Sequence, residues 1–127
     1  ADRLKRVVER VKQKGIKVSM FVDPEEKQIK ASKEIGAHMI EIHTGRYCDA
    51  TTDGQREKEF EHVVKAAKIG KALGLGVNAG HGLHYHNVRR IALIPEIDEL
   101  SIGHSIIARA VFVGLDRAVR DMLQLIK

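Results

Sequence analysis

Tryptophan is absent from this chain, tyrosine occurs twice and phenylalanine three times, so aromatics make up only 4% of it. Proteins that hold single-stranded nucleic acid stack bases on such rings, and that class of partner is disfavoured here. A single cysteine, Cys48, excludes an internal disulfide and fits a reducing cytoplasm. No apolar run approaches the ~20 residues that a bilayer-spanning helix needs, which argues against a membrane partner. The opening residues, Ala1-Asp2-Arg3-Leu4, show neither a signal peptide nor an initiating methionine. They read as the start of a fragment or a processed chain.

What is present describes a globular α/β protein. The 127 residues are 43% hydrophobic and 31% charged, enough for one domain, 1–127, with its own core. The net charge is +5, but lysine and arginine are interleaved with glutamate and aspartate along several segments. That distribution suits a small phosphorylated substrate better than a nucleic-acid track.

Periodicity sets the order of elements. Leu4, Val7, Val8 and Val11 share one helical face before Gly15. Lys17 to Val22 reads as a strand. Asp23-Pro24-Glu25-Glu26 reads as a helix start, with Asp23 as cap, and that helix stops at Gly36. Met39 to His43 is a second strand, and Arg46 to Gly54 a polar loop. A long helix over about residues 55–73 follows. Gly76 to Ala79 is a third strand, Val88 to Ile94 a short helix stopped by Pro95, and Glu99 to Ile102 a fourth strand. Ser105 to Val113 reads as a short extra helix, and a last helix begins at Asp116. One helix followed by four βα units implies a parallel sheet with right-handed crossovers. Four units are half of a (β/α)₈ barrel, and a small open doubly wound sheet is the competing architecture.

Alternation along Met39-Ile40-Glu41-Ile42-His43 puts Ile40 and Ile42 on one face and Met39, Glu41 and His43 on the other. A glutamate facing inward from a parallel strand is costly unless paired or functional. Glu41 therefore either serves the chemistry or forms a structural ion pair. Polar residues gather at the carboxyl end of every strand, where α/β proteins place their sites. Two of those ends close on Gly-His: Gly80-His81-Gly82 and Gly103-His104. Glycine lets a ligand approach the backbone, and imidazole carries a proton near neutral pH. His81 is the lead acid-base candidate, against a loop histidine that merely fixes its turn. Gly103-His104 before Ser105 has the pattern of a strand-to-helix phosphate cradle, against a plain helix cap. The array His81, His84, His86 invites a metal reading, but no cysteine lies near it, and no resident metal is expected. Cys48 reads as a passive loop residue.

Taken together, Ser19-Met20-Phe21-Val22-Asp23, Glu41-Ile42-His43-Thr44-Gly45, Gly74 through Leu83, Tyr85-His86-Asn87-Val88, Ile94-Pro95-Glu96, Ile102-Gly103-His104 and Arg109-Ala110-Val111 closely resemble the pyridoxine 5′-phosphate synthase family. The resemblance implies a (β/α)₈ barrel that condenses 1-deoxy-D-xylulose 5-phosphate with 3-amino-2-oxopropyl phosphate. Pyridoxine 5′-phosphate, phosphate and water are released, with no metal or organic cofactor. By motif, the resemblance makes His81 the proton-donating histidine and Glu41 a stabiliser of the transition state. It gives Gly82, Gly103 and His104 to the aminoketone phosphate.

The resemblance covers only the family's second half. The Asn-x-Asp-His opening strand, a second catalytic histidine, a further glutamate and the other substrate's contacts belong to the first half. The expectation is a C-terminal half-barrel that works with an N-terminal half or self-associates, as a homo-oligomer in the cytoplasm. The alternative is a folded half-barrel that binds phosphate or assembles without turning anything over by itself. An open half-barrel exposes apolar edges and an inner face to such partners.

Overall fold

A computed structural model describes residues 2–126. Helix α1 (Asp2–Lys12) leads into β1 (Ser19–Val22), α2 (Glu26–Glu34) and β2 (Met39–His43). Then come α3 (Gly45–Asp49), α4 (Asp53–Ala72), β3 (Gly76–Gly80), α5 (Val88–Ala92), β4 (Glu99–Ser101), α6 (His104–Val113) and α7 (Leu115–Ile126). The strands form one parallel sheet in the order β1-β2-β3-β4. A doubly wound sheet reverses its strand order at a switch point. Here each strand simply adds beside the one before it, as in the wall of a barrel. The competing open-sheet reading is thereby set aside in favour of a half-barrel of βα units.

The register aligns Ser19 with Met39, Met39 with Gly76, and Asn78 with Glu99. Alternation then sorts side chains between two unlike faces. Ile40, Ile42, Val77 and Ala79 are fully buried, against Ile29 of α2, Val63 and Ala67 of α4, Val88 and Ile91 of α5, and Met122 of α7. The opposite face carries Met39, Glu41 and His43, which stay half-buried, and Phe21, which is 58% exposed. Ile42 sits at the centre of the covered face, so Ile42→Ala is expected to cost about 2–5 kcal/mol, the usual range for a deleted core side chain. Urea unfolding at constant slope checks it; a cost below ~1 kcal/mol would mean the site collapses freely.

Several boundaries differ from the sequence expectations, each for a tertiary reason. Asp23 is not a helix cap. Helix α2 begins at Glu26, and its cap position, Glu25, makes no side-chain capping bond. The Asp23 carboxylate faces His43 across the strand ends instead. The supposed loop from Arg46 contains α3, because Tyr47 is drawn into the core and its hydroxyl donates to the Asn87 carbonyl at 2.9 Å. Helix α4 starts at Asp53, where the Thr52 hydroxyl accepts from the Gln55 amide. Strand β1 starts at Ser19 rather than Lys17, β3 runs on through Gly80, and β4 stops at Ser101.

Some apolar stripes found in the sequence have little to cover. In α1 only Val8 is buried, while Leu4 and Val7 are 45% and 50% exposed. Helix α6 buries none of its residues, and Val111 and Phe112 are 78% and 89% exposed. Among the described residues no helix is long and apolar enough to cross a membrane.

Candidate active site

All four strands deliver polar residues to the same end of the sheet. There the side chains enclose a cleft of about 620 Å³. Glu41, His81, Gly82, Gly103 and His104 all line it, so the five residues picked from separate strands converge in space. Phe21, Leu83, His84, Ser101, Ile102 and Ser105 complete the wall.

His81 stands at the turn out of β3 with φ +82°, a left-handed conformation that is rare outside glycine. Such strain costs about 1–3 kcal/mol and persists only when neighbours enforce it. The enforcing group is Thr44, fully buried at the end of β2. Its hydroxyl lies 2.7 Å from the Gly80 carbonyl and 2.6 Å from the His81 carbonyl, sharing one proton between two acceptors. The Thr44 amide donates to Gly80 as well, at 2.8 Å. Gly82 follows at φ +78°, where a Cβ would lie 2.8 Å from that of Cys48. The turn thus aims the imidazole at the cleft by backbone restraint.

Glu41 reaches the cleft by lying across β3. Its carboxylate accepts a hydrogen bond from the Ser101 hydroxyl of β4 at 2.9 Å. The crossing passes over Gly80, where a Cβ would stand 2.7 Å from the Glu41 carboxylate and 2.9 Å from the Ser101 carbonyl. Gly80 is therefore part of the site by virtue of what it lacks.

Gly103 occupies the cap position of α6 and provides no side-chain bond to the first turn. The leading amides of a helix have no partner within it, and the macrodipole makes that end electropositive. The Ser105 hydroxyl is engaged with the Leu83 carbonyl at 2.8 Å, which ties α6 to the loop after β3. No described atom lies within 4 Å of where a Gly103 Cβ would point. An anion has both room and donors there.

Three further residues, to which the motif reading gives no part in the chemistry, belong to the assembly: Asp23, His43 and Gly45. The signal was available in the run Glu41-Ile42-His43-Thr44-Gly45, since alternation places His43 on the same face as Glu41. The three histidines of the H-x-x-H-x-H array, by contrast, separate. His81 pairs with His43 at a ring-centroid distance of 4.6 Å, while His84 pairs with His86 at 5.9 Å. Among the described residues no three potential metal-ligating side chains gather as a cation site. Burial pushes the Cys48 thiol up to about 11, which makes it a poor nucleophile at neutral pH. A second cleft, about 530 Å³, lies between α4 and α5, but its Arg56 and Arg90 are already paired with Asp53 and Glu57.

Burial, and then the neighbouring His86, pull His84 below the ordinary imidazole value of 6.5. A group lowered in the fold takes its proton more readily when unfolded. Stability is therefore expected to decline as pH falls through 6.5, then to level off below the folded value. His84→Gln should flatten that part of the curve in a series of urea melts, and an unchanged slope would rule this origin out. Asp98, held below its usual 3.8 by the Lys71 ammonium and the Val77 amide, acts in a separate window. Its contribution is present above 3.8 and lost as pH falls through the lower, folded value.

Comparison with known proteins places this sequence in a family. The model of the family described as Pyridoxal phosphate biosynthesis protein PdxJ matches residues 1–127. A pyridoxine 5′-phosphate synthase from Desulforapulum autotrophicum is 56% identical over 124 residues, covering 98% of this chain and 52% of the relative. One from Geobacter metallireducens is 56% identical over 120 residues, 94% of this chain and 50% of the relative. One from Pseudoalteromonas translucida is 59% identical over 111 residues, 87% of this chain and 46% of the relative. The chain spans about half the length of the curated relatives it matches. With the family model matched over the whole chain and more than half of the aligned residues shared with each of these relatives, the chain belongs to the PdxJ family of pyridoxal phosphate biosynthesis proteins.

Proposed function

We propose that this chain supplies one phosphate subsite and the acid-base histidine of a pyridoxine 5′-phosphate synthase. The reaction condenses 1-deoxy-D-xylulose 5-phosphate with 3-amino-2-oxopropyl phosphate, releasing pyridoxine 5′-phosphate, phosphate and water. The observation that carries this reading is the convergence of Glu41, His81, Gly82, Gly103 and His104 on one cleft. Building the pyridine ring requires imine formation, several proton transfers and expulsion of phosphate and water. An imidazole exposed at the cleft mouth delivers protons at neutral pH. The Glu41 carboxylate, fixed by Ser101, faces positive charge that develops on the reacting nitrogen or carbon. The first turn of α6, which His104 opens after Gly103, holds the phosphate of the aminoketone with Gly82. Neither a metal nor an organic cofactor enters this scheme.

The second substrate needs groups that this half does not contribute. The uncovered inner face, with Phe21 more than half exposed, favours closure by an N-terminal half-barrel in a cytoplasmic homo-oligomer. The exposed apolar side of α6 serves association between subunits in the same reading. The test is product formation by the chain alone and mixed with the family's N-terminal half. Product only in the mixture supports a shared site. Product from neither would leave a folded, phosphate-binding half-barrel; product from the chain alone would overturn the division of labour proposed here.

A further inference from the structure

We propose that His43 is a positioning residue for His81, anchored in turn by Asp23. This rests on the reading that His81 carries the proton step. The backbone of His81 is held by Thr44, but an imidazole has further freedom about its own side-chain bonds. Among the described residues no hydrogen bond is made to the His81 ring, so contact alone restrains it. The contact is with His43, whose ring centroid lies 4.6 Å away at an interplanar angle of 49°.

His43 is built to be a fixed wall. On one side its Nδ1 lies 3.4 Å from an Asp23 carboxylate oxygen at the end of β1. Asp23 is itself tethered by the Gln28 side chain, whose Nε2 donates to the Asp23 carboxylate at 3.4 Å and whose Oε1 accepts from the Asp23 backbone amide at 3.1 Å. On another side Phe21 meets the His43 ring edge-on, with centroids 5.1 Å apart at 78°. The remaining space is created by Gly45. A Cβ there would stand 2.7 Å from His43 Cε1, 2.8 Å from His43 Nε2 and 3.2 Å from His81 Cδ2. One missing methyl group therefore makes room for both rings at once. Asp23, His43 and His81 sit at the ends of three adjacent strands, so the sheet itself sets their spacing. Misplacing a catalytic group by about an ångström costs about 10²-fold in rate, which is the scale on which such a wall matters.

The test uses the barrel reconstituted from this chain and the family's N-terminal half, with kcat and KM measured for both substrates. His43→Ala is expected to lower kcat at least tenfold with KM within twofold. His43→Phe, which restores the ring but not the contact with Asp23, is expected to recover that loss only as far as the level of Asp23→Asn. Asp23→Asn acts at the partly exposed anchor and is expected to lower kcat several-fold without affecting folding. It decides the matter if His43→Ala does not fold, since parental kcat in Asp23→Asn then overturns the proposal. Parental kcat in His43→Ala, beside an inactive His81→Ala, overturns it as well. If His81→Ala keeps full turnover, the acid-base reading fails instead, and positioning is judged by NMR. The His81 Cε1–H signal should shift and sharpen in His43→Ala as the ring is freed. An unchanged signal overturns the proposal whatever the kinetics show.

Discussion

His81→Ala in the reconstituted barrel is expected to lower kcat by about 10²–10⁴-fold, the usual contribution of a positioned general acid or base. The fold should survive, because His81 is exposed and its ring packs against His43 rather than into the core. His81→Gly separates the two roles of the position more sharply. Left-handed backbone costs a side-chain-bearing residue about 1–2 kcal/mol that glycine escapes. Glycine gives back roughly 0.5–1 kcal/mol through the greater freedom of its unfolded chain. The glycine variant should therefore be at least as stable as the parent and just as inactive as the alanine variant. That pattern marks strain kept for function. A glycine variant clearly less stable than alanine would show that the turn is not strained. Parental turnover in either would remove His81 from the chemistry.

Gly80→Val is expected to damage fold and site together. A Cβ at this position meets the Ser101 backbone carbonyl at 2.9 Å, and no rotamer change relieves a clash with backbone. Strand β4 has only three residues in the ladder with β3, so it has little pairing to spare. Overpacking of this kind typically costs about 1–3 kcal/mol. The same Cβ stands 2.7 Å from the Glu41 carboxylate, which must then leave Ser101. Urea melts should show the stability loss, and the reconstituted barrel should lose turnover beyond what its folded fraction explains. Ser101→Ala is the matched control, since it frees Glu41 without pushing the strands apart. Full stability in Gly80→Val would mean that β4 shifts to make room at no cost.

Much of this arrangement is legible in the sequence, for reasons that are local. Ile40 and Ile42 alternate with Glu41 and His43, and a strand has no other way to present them. Gly-His endings mark places where a chain leaves a strand and exposes its backbone. What escapes such reading depends on partners distant in sequence. Asp23-Pro24-Glu25-Glu26 satisfies the pattern of a capped helix start, yet the carboxylate is held near His43, on the neighbouring strand. The strain at His81 is imposed from Thr44, 37 residues earlier, and nothing adjacent to His81 announces it. Helix α3 forms because Tyr47 finds Asn87 and the core. The short segment itself lacks a side-chain cap and has few strong helix formers.

The in-order sheet also bears on how the chain comes into being. Each strand pairs with the one synthesised just before it, across separations of about 20, 37 and 21 residues. Loop closure over such spans carries a modest entropy cost, and none of these pairings waits for a distant segment. Domains assemble as they emerge from the ribosome at roughly 5–20 residues per second. A sheet that grows by adding its newest strand at one edge can follow that pace, each crossover helix covering the wall as soon as it is made. The leading edge of such a sheet is left unpaired at every stage. For a barrel, the closing contact between first and last strands is the single slow, non-local event.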